Sequence, residues 1–341
     1  MVSVATGTEL PSSREISKTG VKHLHRYWAK NMAFRERRLS ELDFHDEVNL
    51  DVILLGVLGL GLEQTITHMY TTNDFESFED WVLEVNNGVL DPNKIAQFNR
   101  LLDNTEAPSI AADEKVLSPA DMDFFNENGY IILRNAVPKE DCAATIDMIC
   151  DFLKIDINNP ETWYTQNPAR QGIMVQLFQH PLLQKNRDTP LIRNAYEQLW
   201  GRKDIWVNTD RVGFNPPETD SWKFPGPRLH WDVSIEPPIP FGLQGILYLS
   251  DTKADQGAFS LIPGFHKKIE AWVDSLPEGA DPRMQDLYKL GVTPIAANAG
   301  DFIIWHQALP HGSSPNTSVL PRIVQYLNYQ PVNAKVLKVW R

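Results

Sequence analysis

The chain is poor in cysteine: only Cys142 and Cys150 occur in 341 residues, close together in a stretch of helical character. That excludes a disulfide framework and a cysteine-bound metal cluster, and both thiols are expected to be reduced and buried. Positive charge is also scarce, with 32 Lys and Arg against 44 Asp and Glu and a formal net charge of -12. Neutralising a phosphate backbone needs a basic face, so no nucleic-acid partner is expected. Long apolar runs are missing. The longest, "VILLGVLGLGL" at 52–62, falls short of the roughly 18–20 residues that cross a bilayer. Glycine interrupts it, it reads as buried helix, and no membrane partner is expected. The opening "MVSVATGTELPSSREISK" lacks the basic stretch and apolar core of a secretory signal, which makes cytoplasmic the expected location.

What is present is a hydrophobic content of 42%, enough to bury a sizeable core in one large domain or two smaller ones. Residues 1–20 are polar and expected to be mobile. From 21 to 104 the text is helical: "HLHRYWAKNMAFRERRLSEL" and "SFEDWVLEVNNGVL" mix apolar and charged residues at spacings near 3.6. Residues 105–117, rich in Ala, Pro, Ser and acids, suit a linker. A domain over 118–341 follows, its first helix started by Ser118 as N-cap, Pro119 in the first turn and Asp121 after it. The grammar then turns to short β-rich segments between Pro/Gly turns, among them "GYIILRNAV", "DIWVNTDRVGF", "LQGILYLSD", "AFSLIPG", "GDFIIWH" and "PRIVQYLNYQPV". Such spacing predicts a mainly β sandwich or barrel with flanking helices, and the jelly roll is the version that hosts metal sites.

Within that domain "PRLHWDVSIE" places His230 two residues before Asp232. On an extended strand, i and i+2 share a face, so the two side chains would project together. The spacing is equally common in an ordinary strand edge, and a third ligand is needed. Of the later histidines, His311 lies at a strand end beside Gly312 and Ser313, where irregular backbone can aim an imidazole into a cavity. His306 reads as a packed histidine, and His266, followed by lysines, as a surface or lid residue. Two histidines and one carboxylate leave open positions on an iron, as non-haem Fe(II) oxygenases require, whereas structural zinc closes its coordination with protein. Arg322, at the start of the next strand, can clamp a carboxylate bidentately, and Ser313 can donate to the same group.

At these residues the stretch from about 118 to 332 resembles the phytanoyl-CoA dioxygenase family of Fe(II)/2-oxoglutarate-dependent oxygenases. The matching text is "NGYIILRNAV", "HWD", "LYLSDTKADQGAFSLIPGFH" and "GDFIIWHQALPHGSSPNTSVLPR", with the distal histidine and the arginine eleven residues apart. The resemblance implies a double-stranded β-helix (jelly roll, cupin-like) with flanking helices. It implies iron on His230, Asp232 and His311, 2-oxoglutarate held by Arg322 with Ser313, a further cosubstrate contact at Tyr248, and O2 as oxidant. Two features depart from the family: Pro-Gly-Phe-His stands where Pro-Gly-Ser-His is usual, and the helical region before 104 has no counterpart in shorter members. Because Asp232 occupies the position that related halogenases leave small for chloride, the resemblance implies hydroxylation as the leading outcome, with desaturation or ring closure left open.

For substrate the sequence offers Arg228, on the His230 face if extended, Arg211 in "NTDRVGF", and Trp222 in a loop that could form a lid. These point to a small carboxylic acid, a free amino acid or a natural-product intermediate. Two alternatives remain open: an acyl group on coenzyme A or a carrier protein, and a non-catalytic jelly-roll binding module. The helical region could provide a homodimer or carrier-protein contact, or simply cover an open barrel face.

Overall fold

The computed structural model of the chain describes residues 9–103 and 114–340. Most of the expected linker at 105–117, and the start of the expected mobile terminus, lie outside the described residues. At the described flanks the chain is tied down. Val116 and Leu117 donate their backbone N–H groups to Oε1 of Gln198. Lys18 pairs with Asp80, and Thr19 N–H donates to Glu79, so the residues just before 20 contact the helical region.

Twelve strands are present among the described residues. Seven form one antiparallel sheet in the order β1-β9-β6-β11-β5-β3-β2: β1 Tyr130–Leu133, β2 Arg170–Gln171, β3 Met174–Val175, β5 Val212–Asn215, β6 Leu243–Tyr248, β9 Phe302–His306 and β11 Arg322–Tyr326. A three-stranded sheet follows the order β10-β7-β8, from β7 Phe259–Leu261, β8 Thr293–Pro294 and β10 His311–Ser313, and β4 Ile205–Val207 pairs with β12 Tyr329–Pro331.

The larger sheet is buried on both faces, and the two-residue period of each strand sorts side chains between two cores. On β6, Leu243 and Leu247 face one core while Ile246 and Tyr248 face the other; on β9, Phe302 and Ile304 oppose Ile303 and Trp305. The first core is completed by helical residues such as Ile149, Leu183 and Ile192. The second lies between the two sheets and includes Phe259 and Leu261. This is the mainly β jelly roll with flanking helices that the strand spacing predicts. Its first helix, Pro119–Asn128, begins at the Ser118 cap, whose hydroxyl accepts from Asp121 N–H, and stops at Gly129, where a φ of 76° favours glycine. Cys142 and Cys150 are free and buried, and burial pushes each thiol up to about 11.

The helices before residue 104 are α1 Leu24–Arg35, α2 Val48–Val57, α3 Leu62–Met69, α4 Phe75–Val85 and α5 Pro92–Leu102. "VILLGVLGLGL" is not one helix. The chain turns at Gly59, with φ of +64°, between α2 and α3, because an αL residue cannot continue a helix. These helices pack around Leu24, Ile53, Phe78 and Phe98, and Trp206 and Val332 pack against the same cluster. Gly56 lies so close to the Val207 carbonyl that no Cβ would fit. The helical region is therefore seated on β4 and on the chain beyond β12.

Candidate metal centre

His311 opens β10, and His230 meets it through a single antiparallel bridge, with reciprocal backbone hydrogen bonds of 2.9 and 3.0 Å. Beyond His230 the chain bends. Asp232 is thus not two residues along a strand from His230, as the sequence suggests, but is turned in beside it. The turn has two anchors. Trp231 is buried between the sheets and donates from Nε1 to Ala308 O at 2.9 Å. Arg283 donates to the carbonyls of Trp231 and Val233 at 2.7 and 2.6 Å, bracketing Asp232.

The three side chains converge. Nε2 of His230 lies 3.1 Å from Asp232 Oδ1, and Nε2 of His311 lies 3.1 Å from Asp232 Oδ2. One donor atom from each falls within 4.8 Å of the others. Each imidazole uses its other nitrogen on the backbone two residues earlier: His230 Nδ1 donates to Arg228 O at 2.7 Å, and His311 Nδ1 to Leu309 O at 3.2 Å. With Nδ1–H so engaged, a neutral ring presents its Nε2 lone pair inward, as a metal-binding histidine must. Burial alone would raise the Asp232 carboxyl. The hydrogen bonds and positive charge that His230 and His311 supply when protonated, in the place a cation would take, outweigh it and hold the group well below the usual carboxylate range. A site of two aimed imidazoles and a carboxylate that stays ionised fits a divalent iron.

The centre opens on a cavity of about 530 Å³ whose lining includes Gln244, Phe259, Trp305 and Ser313. Arg322 lies on the same face of β11 as Val324, turned toward the inter-sheet core, and is fully buried. Its Nη2 donates to Ser313 Oγ at 3.0 Å, while Nε and Nη1 have no partner among the described residues. Burying a guanidinium with two unsatisfied donors is costly unless an anion meets it. The arrangement fits a cosubstrate carboxylate placed between Arg322, Ser313 and the metal.

Other residues singled out from the sequence fall differently. Tyr248 is fully buried, with its hydroxyl donating to Ile295 O at 2.8 Å and accepting from Phe259 N–H at 2.9 Å, and it does not line the cavity. The hydroxyl knits β6 to the smaller sheet. Arg228 is exposed and also outside the cavity, because the chain around His230 is not extended and the shared face does not exist. Trp222 sits beside Tyr164 and Arg170, away from the metal centre. Arg211 does line the cavity, where it pairs with Glu63 and Asp210. His306 is packed as expected. His266 lies against His306 as a tilted ring pair, with 5.2 Å between centroids, and its imidazole fills the space beside Gly129. Gln244, Glu63 and Arg283 carried no sequence signal, since each is an isolated polar residue whose importance depends on what the fold brings beside it.

A second carboxylate–histidine group, His23, Glu47 and Asp51, lies in the helical region. There Lys30 Nζ already sits 2.7 Å from both Glu47 Oε2 and Asp51 Oδ1, so an ammonium fills the place a cation would take.

Comparison with known proteins gives a consistent picture. The sequence model of the family described as "Phytanoyl-CoA dioxygenase (PhyH)" matches residues 125–324. A Dictyostelium discoideum protein assigned as a phytanoyl-CoA dioxygenase is 24% identical over 263 residues, covering 62% of this chain and 75% of that protein. Among solved structures, Candida albicans GlcNAc Inducible Gene 2 shares the fold at a TM-score of 0.51 and 15% identity, covering 63% of this chain and 64% of its own. EctD from S. alaskensis with bound Fe aligns at 0.47 and 16% identity, covering 68% of this chain and 84% of its own.

Proposed function

The chain belongs to the phytanoyl-CoA dioxygenase family and is an Fe(II)- and 2-oxoglutarate-dependent dioxygenase; from that premise we propose that it hydroxylates an unactivated C–H bond of a small carboxylic acid, a free amino acid being the best fit, with release of succinate and CO2. The observation that carries this reading is the His230, Asp232 and His311 cluster opening on one cavity with Ser313, behind which Arg322 is buried with two unmatched donors.

Iron on His230, Asp232 and His311 would supply the activation of O2 that C–H oxidation requires. The protein's part is orientation and exclusion of water. The two Nδ1–H bonds to backbone hold the imidazoles, Arg322 and Ser313 receive the distal carboxylate of 2-oxoglutarate, and Phe259 and Trp305 give the cavity an apolar wall. Asp232 keeps a carboxylate where a halide would otherwise bind, which favours hydroxyl as the group delivered.

Substrate recognition falls to Arg211. It is the candidate arginine that lines the cavity, and it stands between the carboxylates of Glu63 and Asp210. A substrate with a carboxylate for Arg211 and an ammonium for Glu63 and Asp210 matches both signs of charge, as an amino acid does. A coenzyme A or carrier-bound acyl group is less well matched, since both carriers are anionic and so is this chain, at a net -12. Nor does the helical region need a carrier to explain it, because its Glu63 contributes to the cavity wall.

The test is a succinate-release screen with anaerobically loaded Fe(II), over amino acids, their deaminated acids, simple amines and acyl thioesters. The expected result is stimulation by an amino acid above the substrate-free background, with a product one oxygen heavier. Stimulation by thioesters alone would overturn the substrate reading, and a protein that neither binds iron nor consumes 2-oxoglutarate would return the jelly roll to a binding module.

A further inference from the structure

Asp232 is held by more than its two histidines. Gln244 Nε2 donates to Asp232 Oδ2 at 2.6 Å, and Gln244 Oε1 in turn accepts from Trp305 Nε1 at 3.1 Å. Gln244 and Trp305 are direct register partners across β6 and β9, and both line the metal cavity. Cross-strand partners on one face have side chains within contact range, so the backbone register itself brings amide and indole together. An indole N–H can only donate and an ionised carboxylate can only accept. The amide between them therefore has one orientation, since the reverse would set donor against donor and oxygen against carboxylate.

We propose that Gln244 is a positioning residue for the metal-ligating carboxylate and that Trp305 sets its orientation. The inference rests on the metal reading above and adds an indole–amide–carboxylate chain that the sequence motifs do not contain. Asp232 lies on an irregular turn, where a carboxylate on a short stem is free to rotate. The amide fixes the plane of that carboxylate, with Oδ1 toward His230 and Oδ2 shared between Gln244 and His311. Groups that orient a metal ligand in this way govern affinity for the ion rather than folding, and losing one typically weakens binding by about 10–100-fold.

The test is titration with Co(II) in anaerobic buffer, read by its visible absorption bands, alongside thermal unfolding of the metal-free protein. Saturable binding by the wild type, lost in His311→Ala, locates the site. Gln244→Met keeps the bulk of the side chain and removes the amide. It is expected to weaken Co(II) binding by about 10–100-fold, to shift the absorption bands, and to leave metal-free unfolding unchanged. Trp305→Phe, which keeps a ring but lacks the N–H, is expected to weaken binding less, and the double variant is expected to bind no worse than Gln244→Met because the two act in series. If Gln244→Met does not fold, weakened binding in Trp305→Phe decides the matter in its place. Co(II) binding in Gln244→Met within about twofold of the wild type, with unshifted bands, would overturn the proposal while leaving the metal site intact. No saturable binding by the wild type would instead overturn the metal reading on which it rests.

Discussion

Arg322 and Ser313 meet at 3.0 Å across two different sheets, guanidinium to hydroxyl, with Arg322 fully buried and two of its donor nitrogens unmatched. Evolution rarely keeps such a group for stability, because an apolar side chain of similar volume packs as well without the desolvation cost. Arg322→Met is thus expected to raise the KM for 2-oxoglutarate by about 30–100-fold, the loss of about 2–3 kcal/mol of charge-assisted hydrogen bonding. The metal-free variant should unfold at the same temperature as the wild type or higher. Steady-state kinetics against 2-oxoglutarate and a thermal melt check the two halves separately.

Arg283 holds the turn that carries Asp232 by donating to the carbonyls on either side of it, and its guanidinium stacks on Trp340 with 4.6 Å to the ring centroid. Arg283→Ala should cost about 2 kcal/mol of stability in urea denaturation and should speed the loss of Fe(II) on anaerobic dialysis. Arg283→Lys should not restore iron retention, since a single ammonium lacks the fork that spans two carbonyls. Full retention in both variants would show that the turn holds itself.

Acid should destabilise the protein through His306. Burial lowers this imidazole from 6.5 to about 4, with His266 adding to the effect, and its Nδ1 accepts from Ala308 N–H at 3.0 Å. The unfolded chain therefore takes up a proton before the folded one. Stability that is present above pH 6.5 is lost as the pH falls toward 4. In His306→Gln, which keeps an acceptor but cannot titrate, the denaturation midpoint should fall less steeply across that window. Parallel slopes in the two proteins would contradict the assignment.

Removing residues 1–113 should not yield a well-behaved barrel. The deletion strips the cover from Trp206 and Val332, breaks the bridge between Gly61 and Thr209, and takes Glu63 from the cavity wall. Exposed apolar surface of that kind drives association. Size-exclusion chromatography is expected to show aggregated material, and substrate-stimulated turnover should be lost from any soluble fraction. A monomeric truncate with wild-type substrate KM would show that the helices are dispensable.

The ordered set His230, Asp232, His311 and Arg322 was legible in the linear text because a chelating set is a pattern of residue types, and the capped helix at Ser118 and the alternating strands were legible because local sterics and two-residue periodicity act over a few residues. What the text could not reveal was orientation. Tyr248 and Arg228 carry suitable chemistry, yet the smaller sheet claims the hydroxyl of one and the bend at Leu229 turns the other to solvent. Gln244 looks unremarkable between Leu243 and Gly245 until the register of β6 against β9 sets it beside Trp305 and under Asp232. Arg283 and Glu63 reach the site from segments far away in sequence, one through the turn it clamps and one through a helix seated on the barrel. By itself the sequence determined the candidate donor set and the class of chemistry, since these depend on which atoms are present. The tertiary structure decided which side chains face the cavity and which fix its geometry, since hydrogen bonding and burial depend on neighbours that only folding supplies.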